Sequence, residues 1–577
     1  MSLNYPNFIW SVADLLRGSF KAHQYGDIIL PFTVLRRLDC VLAPTKEQVL
    51  AAVKEGRAQG VPVSRGLLKH KAGHALSFWN TSRFDLGKLL GDPDNLAQNL
   101  LAYIDAFSAD VKDIFINYKL EERVAELDAA DLLLLVTKKF AGVDLSPGAV
   151  PNEEMGHIFE ELIRKFAEAS NETAGEHFTP RDVIELMADL VLAPDKEELA
   201  KPNIVRSIYD PAAGTGGMLS IAEDRILSLN RTARLRLAGQ EVNPQSYAIC
   251  KADLIVKGQA ADAIVLGDTL VADGYPDQTF SYCLSNPPFG VDWKKQRAQV
   301  AQEHELRGFA GRFGPGLPRV SDGAMLFLLH LVSKMSKPAD GDRSGGRAAI
   351  VLNGSPLFTG GAGSGESAIR KWILDRDYLE AIIALPADMF YNTGIATYIW
   401  VLATAKSPER RGRVQLIDAT GRGAKMRKSL GSKRNQLSAA DTAWVVGQHA
   451  GFARDTPTSK VFAREEFYYR AITVERPLLD DAARPVRDSK GRLKADPKSR
   501  DTENVPWDQD VDAYFEREVK PFLPDAWIDK SKTKDGCEIP FTRHFHVYTP
   551  PRPLEEIDRD LDEVLGRIRH RLDQARR

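Results

Sequence analysis

"NIVRSIYDPAAGTGGMLSIAEDRIL", residues 203–227, decides how this chain folds. An apolar run ends at Asp210, a glycine-rich turn follows, and a helical pattern begins near Met218. The glycines allow a tight turn and bring backbone close to any ligand at the N-terminus of the helix. The turn alone names no ligand. Its spacing is neither GxGxxG nor GxxxxGK[ST], so neither a dinucleotide nor a P-loop nucleotide is favoured.

The same texture continues outward. "LRLAGQEVNPQSYAICKADLIV" reads as strand, acidic residue and helix; "AIVLGDTL" and "FSYCLSNPPFG" read as strands ending in polar residues. "GAMLFLLHLVSKM" reads as a helix, "GRAAIVLNGSPLF" and "LEAIIALP" as strands, and "TYIWVLAT" and "RVQLIDAT" complete the sheet. Strands alternating with helices predict an α/β fold with a doubly wound, mainly parallel sheet.

In such sheets ligands bind outside the carboxyl ends of the strands. Four features stand there in chain order: Asp210 with Gly214, Thr215, Gly216 and Gly217; then Glu241; then Asp268; then Asn286-Pro287-Pro288-Phe289. A carboxylate at Glu241 can accept both hydroxyls of a ribose, although by itself it also reads as a surface glutamate. Asp268 can accept from an adenine amino group. The two prolines end any ladder and hold an amide and an aromatic ring at one separation.

Residues 1–150 read as a helical N-terminal domain, with Phe8, Ile9, Val12, Leu15 and Leu16 at helical spacing. A linker and a helix with Met155, Ile158, Phe159, Leu162 and Phe166 on one face follow. Next comes "GEHFTPRDVIELM", in which Thr179 reads as an N-cap and Pro180 as the first helical residue. The α/β region is expected over 151–436. Residues 437–577 form a mixed, partly helical C-terminal region, with 488–506 reading as a polar loop and an amphipathic helix at the end. No internal repeat is evident.

Composition is that of an ordinary globular protein, 43% hydrophobic and 27% charged, with a net charge of −2. The whole chain is therefore no strongly basic nucleic-acid binder, and such contact must come from patches or a partner. The four cysteines are far apart and read as reduced thiols without a zinc site. No apolar run approaches the ~20 residues that span a bilayer, and no secretory leader is visible, so no membrane contact and a cytoplasmic location are expected.

With its four strand-end features in this order, the chain resembles S-adenosylmethionine-dependent N6-adenine methyltransferases carrying Asn-Pro-Pro-Phe. It most resembles the modification subunit of type I restriction-modification systems, with the "HFTP" element first, as in the γ motif order. "LPADMFYNTGIATYIWVL" and "GRGAKMRKSLGSKRN" also fit. The residues near 480–550 exceed the family pattern. The resemblance implies a Rossmann-like class I methyltransferase sheet and S-adenosylmethionine as cofactor, with no metal. It places Glu176, His177, Phe178, Thr179 and Pro180 near the methionine part. Asp210, Gly214, Thr215, Gly216 and Gly217 line the turn, with Glu241 at the ribose and Asp268 at the adenine. His177 departs from the aromatic residue the pattern favours.

Asn286 and the Pro287 carbonyl are then expected to accept from the target amine, Pro288 to stiffen the turn, and Phe289 to stack on a flipped-out base. Phe390 or Tyr391 is expected as an opposite wall, with core aromatics as the alternative. Lys294, Lys295 and Arg297 are candidate phosphate contacts, as are the basic residues from Lys406 to Arg434. The implied partners are double-stranded DNA, a specificity subunit, a restriction subunit and a second copy of this chain. The N-terminal helices and the terminal helix are the expected docking surfaces. Two other readings remain: a methyltransferase acting on protein glutamine, and a cofactor-binding scaffold without turnover.

Overall fold

Nine strands form the central sheet, and the strands named above from the sequence supply eight of them. The structure is a computed structural model describing residues 5–575 except 74–75, 77, 153, 157, 160, 163–178, 258, 339–344, 392, 453 and 548–551. It divides into two units, Met1–Ile539 and Pro540–Arg577.

In chain order the sheet contains β1 (Val205–Asp210), β2 (Arg234–Glu241), β3 (Ile264–Leu266), β4 (Tyr282–Ser285), β5 (Arg347–Asn353), β6 (Leu379–Ala384), β7 (Thr397–Ala403) and β8 (Arg413–Asp418). A hairpin of β9 (Ala424–Leu430) and β10 (Lys433–Gln436) follows, and β11 (Ser459–Ala463) then joins the sheet edge. The order is β11-β8-β6-β7-β5-β4-β1-β2-β3. β1 to β5 run parallel, while β7 is antiparallel to both β5 and β6. β6 and β7 are buried along their whole length, as strands covered on both faces must be. The edge strand β11 lies past residue 436, beyond the region the sequence assigns to the sheet.

The direction of chain reversal changes between β1 and β4, and it is there that the carboxyl ends open a crevice. The helix Arg181–Leu192 covers the sheet with Val183, Ile184, Leu186, Met187, Leu190 and Val191. Its N-cap is Pro180, not Thr179. The one-residue shift releases the Thr179 hydroxyl for another partner.

The N-terminal region is helical as expected, from Tyr5–Leu16 to Leu133–Ala141. Its core runs directly into the sheet layer: Ala248, Ile249, Ala252 and Ile255, on the helix Pro244–Val256, belong to the same apolar cluster as Phe32, Leu100 and Phe140. Asp113 accepts from Tyr247 Oη at 2.7 Å and from Lys251 Nζ at 2.5 Å across this seam. One face of this helix lines the N-terminal core, and its other end starts one residue after the β2 turn.

After β11 a three-stranded antiparallel sheet forms from β12 (Tyr468–Glu475), β13 (Asp501–Pro506) and β14 (Trp527–Cys537). Between β12 and β13 the chain contains a repeat that composition concealed. Asp480, Asp488 and Asp496 lie eight residues apart, each closing a turn by accepting backbone N–H groups. Leu478, Val486 and Lys494 bond in a ring: Leu478 N to Lys494 O, Lys494 N to Val486 O, and Val486 N to Leu478 O. So residues 488–506 are no simple loop, and the repeat corrects the reading from sequence. In the second unit, the helix Leu554–Ala575 exposes Leu561, Val564, Ile568 and Leu572. Among the described residues no helix is long and apolar enough to cross a membrane.

Candidate active site

At the carboxyl ends of β1 to β4 lies a cavity of about 260 Å³, lined by Thr179, Asp210, Gly214, Thr215, Gly217, Glu241, Asp268, Asn286 and Pro288, among others. Each strand delivers its polar residue here because a turn begins where its ladder ends. β1 ends in Asp210, whose Oδ1 accepts from Ala212 N at 3.0 Å and starts the turn. Gly214 and Gly216 have φ of +54° and +84°. A Cβ on Gly216 would stand 2.7 Å from Cys250 Sγ, so glycine is required there for both backbone and space.

Glu241 closes the turn from the neighbouring strand. Its Oε2 accepts from Gly214 N and its Oε1 from Asn243 N, both at 2.7 Å. The carboxylate is thereby held in the wall of the cavity. Asp268 is fixed similarly: Oδ1 accepts from Leu270 N at 2.9 Å, and Oδ2 from Gln296 Nε2 at 2.7 Å. Gln296 has no signature in the sequence, and only the fold brings it to Asp268.

Asn286 follows β4 directly. Its Nδ2 donates to Thr179 Oγ1 at 2.9 Å. Its Oδ1 is buried and has no hydrogen-bond partner among the described residues. An orphaned buried acceptor costs roughly 1–3 kcal/mol, so it marks a place for a donor that the described residues do not supply. Among the described residues the Pro287 carbonyl accepts no backbone hydrogen bond either. Phe289 is half-buried, with its ring edge-on to Phe390 at 5.6 Å between centroids.

The electrostatics are one-sided. Asp210, Glu241, Asp268 and Asp292 line the cavity, and no lysine, arginine or histidine does so among the described residues. Burial pushes the Asp210 carboxyl up to about 8, and the nearby Glu241 charge adds to the rise. Such a cavity repels phosphates and suits a cation that also carries hydroxyls and an amino group. S-adenosylmethionine has this chemistry, with its sulfonium, ammonium, ribose and adenine. The residues present therefore fit the cofactor the resemblance implies.

Other expected residues lie elsewhere. Glu176, His177 and Phe178 fall outside the described residues. Pro180 is buried at the start of its helix, and Gly216 and Pro287 each sit between two residues that line the cavity. Phe390 is 1% exposed and packs in the sheet core, so it backs Phe289 and does not face it across the cavity. Tyr391 packs toward the N-terminal core, and its carbonyl accepts from Ser432 N. Lys294 and Lys295 are exposed outside the cavity, Lys294 beside Asp292 at 3.3 Å. Among the described residues no cluster of histidine, cysteine and carboxylate groups is arranged to hold a metal ion.

Comparison with known proteins gives the family and the fold. The family model of N-6 DNA methylases matches residues 151–469, and that of the HsdM N-terminal domain matches residues 6–140. The chain is similar to the type I restriction enzyme MjaIX methylase subunit of Methanocaldococcus jannaschii, 24% identical over 476 residues, 79% of each chain. It is 26% identical over 355 residues to the type I restriction enzyme MpnII methylase subunit of Mycoplasma pneumoniae, 59% of each chain. Its fold matches that of a type I restriction-modification methyltransferase subunit from Streptococcus thermophilus, with a TM-score of 0.60 and 21% identity, over 80% of this chain and 96% of that one.

Proposed function

The chain belongs to the N-6 DNA methylase family, and from that premise we propose that it is the modification subunit of a type I restriction-modification complex. The family makes it an N6-adenine DNA methyltransferase that uses S-adenosylmethionine. In the proposed role it methylates an adenine turned out of the duplex, at a site chosen by a separate specificity subunit. The observation that carries the residue assignment is Asn286, an amide held by Thr179 with its oxygen unpartnered among the described residues, in the lining of an acidic cavity.

The bound cofactor supplies an electrophilic methyl group. The chain supplies position. The target amine is a poor nucleophile because its lone pair is delocalised into the base. Asn286 Oδ1 and the Pro287 carbonyl accept its two hydrogens, which draws the nitrogen toward a tetrahedral shape and aims the lone pair along the cavity. The free face of Phe289 stacks on the base, and Phe390 stops the ring from retreating. Glu241 accepts from the ribose and Asp268 from the adenine amino group of the cofactor, each already oriented by its backbone bonds. The methylated amine is strongly acidic and loses its proton without a dedicated base. A paired base cannot reach Asn286, so the adenine must leave the stack.

We assign residues 1–150 and the terminal helix to subunit docking, with two copies of this chain per specificity subunit, an associated restriction subunit and a cytoplasmic location. The test is transfer of a labelled methyl group by the full chain, with and without the specificity subunit, to duplex DNA. Label at adenine N6 that requires the specificity subunit supports the reading. Label in protein glutamine, or none with either partner, contradicts it.

A further inference from the structure

The basic residues after β7 separate into two groups once the fold is known. Lys406 is buried, with Nζ 2.6 Å from Asp377. Arg410 is buried and bonds Gln415 and the His449 carbonyl. Lys433 is buried and reaches both oxygens of Asp182 at 3.1 Å and the Met389 carbonyl at 3.0 Å. These three are structural. Lys425, Arg427, Lys428 and Arg434 are exposed, and none has a carboxylate partner among the described residues. All four lie on the β9–β10 hairpin.

That hairpin is an unusual support for four free cations. Its two strands pair only with each other, and β9 exposes most of its residues on both faces. An isolated two-stranded ribbon is marginal in water, so its stability comes from its contacts with the body. The turn and β10 are bonded to the loop that carries Phe390. Arg434 N and Asn435 N donate to Asp388 O at 2.9 and 3.2 Å, and Ser432 N donates to Tyr391 O at 2.8 Å. The register slips between Lys433 and Asn435, whose partners are Leu430 and Lys425, so the extra residues bulge from β9, Arg427 and Lys428 among them. Lys433 and β10 thus anchor the ribbon, while Lys425, Arg427, Lys428 and Arg434 are left exposed.

We propose that the β9–β10 ribbon is a phosphate-tracking arm, which holds the DNA duplex beside the site where the adenine is extruded. This rests on the reading of the chain as a DNA methyltransferase. Charge points to the occupant: the chain as a whole carries −2, the cavity is acidic, and this ribbon concentrates positive charge, without carboxylate partners among the described residues, next to the loop that carries Phe390. Seven residues of β9 extend about 23 Å, long enough to follow a duplex backbone. A two-stranded ribbon also fits a major groove. Contacts of this kind position the duplex and do not read its sequence.

The test uses the full chain in its complex with the specificity subunit, and measures duplex affinity against salt for wild type, Lys425→Ala/Arg427→Ala/Lys428→Ala and Lys425→Arg/Lys428→Arg. Each lost phosphate contact lowers the slope of log affinity against log salt by about 0.9. The triple alanine variant is expected to lower it by about 2–3, equally on specific and unrelated duplexes, with cofactor affinity and melting temperature retained. The arginine variant is expected to keep the wild-type slope. An unchanged slope in the triple variant overturns the arm while leaving the methyltransferase reading intact. Wild-type protein with no salt-dependent duplex binding overturns both.

Discussion

The Asn286 amide nitrogen donates to the Thr179 hydroxyl at 2.9 Å, which leaves Asn286 Oδ1 as the amide atom without a partner among the described residues. The bond holds the amide plane in place, with Nδ2 turned to the hydroxyl. Asn286→Ala is expected to lower kcat by on the order of 10²–10³-fold, the scale of one lost preorganised hydrogen-bonding group, while cofactor still binds. Thr179→Val frees the amide to turn and is expected to lower kcat about tenfold, whereas Thr179→Ser keeps the bond and most of the rate. Single-turnover methyl transfer separates these effects from product release.

Glu241 ties the glycine turn to β2 through Gly214 N and Asn243 N. In Glu241→Gln one oxygen becomes an NH₂ group facing a backbone N–H. We expect cofactor affinity to fall at least tenfold by calorimetry and stability to drop by about 1–3 kcal/mol. A variant that binds normally would show that the ribose is held elsewhere.

Gly216→Ala tests the turn itself. A side chain in the left-handed region costs about 1–2 kcal/mol, before any contact with Cys250 Sγ. Adding Cys250→Ala is expected to recover the contact part of the loss but not the backbone part, as read from denaturant midpoints.

Asp210 gives a pH dependence with a definite sign. Burial raises its carboxyl to about 8 in the ligand-free protein, well above the ordinary ~3.9 of an unfolded chain. The stability this protonated group contributes is present in full below the unfolded value and is lost as pH rises through the folded one. Melting temperature should therefore fall from about pH 4 to about pH 8 through this group and level off above, and less so in Asp210→Asn. A cationic ligand prefers the ionised carboxylate. Cofactor affinity should then rise with pH, by at most about tenfold per unit below 8, and level off above it. Affinity that stays flat in wild type would mean that Asp210 does not face the positive part of the ligand.

Much of this site was legible because Asp210, Glu241, Asp268 and Asn286 each terminate an apolar run, and strand ends in a parallel sheet converge on one side. What stayed hidden depended on pairing across the chain. Lys433 reads as one of a basic run, yet its partner Asp182 is 251 residues away. Thr179 reads as a helix cap by local chemistry, but its hydroxyl belongs to Asn286, 107 residues on. Phe390 carries no mark that separates a wall of the cavity from a support behind it. β11 is a short strand recruited by β8 at the sheet edge, and its sequence has no long apolar run. The eight-residue repeat is written in aspartates and backbone bonds, which hydrophobic periodicity cannot reveal.

The central claim is that Asn286 aims an adenine amine in DNA. A base-resolution map of N6-methyladenine in cells carrying this chain and its partner subunits, wild type against Asn286→Ala, tests it most directly. The account predicts methylation at a split, two-part sequence motif in wild type and its loss in the variant. Adenine methylation that persists unchanged in the variant would contradict it.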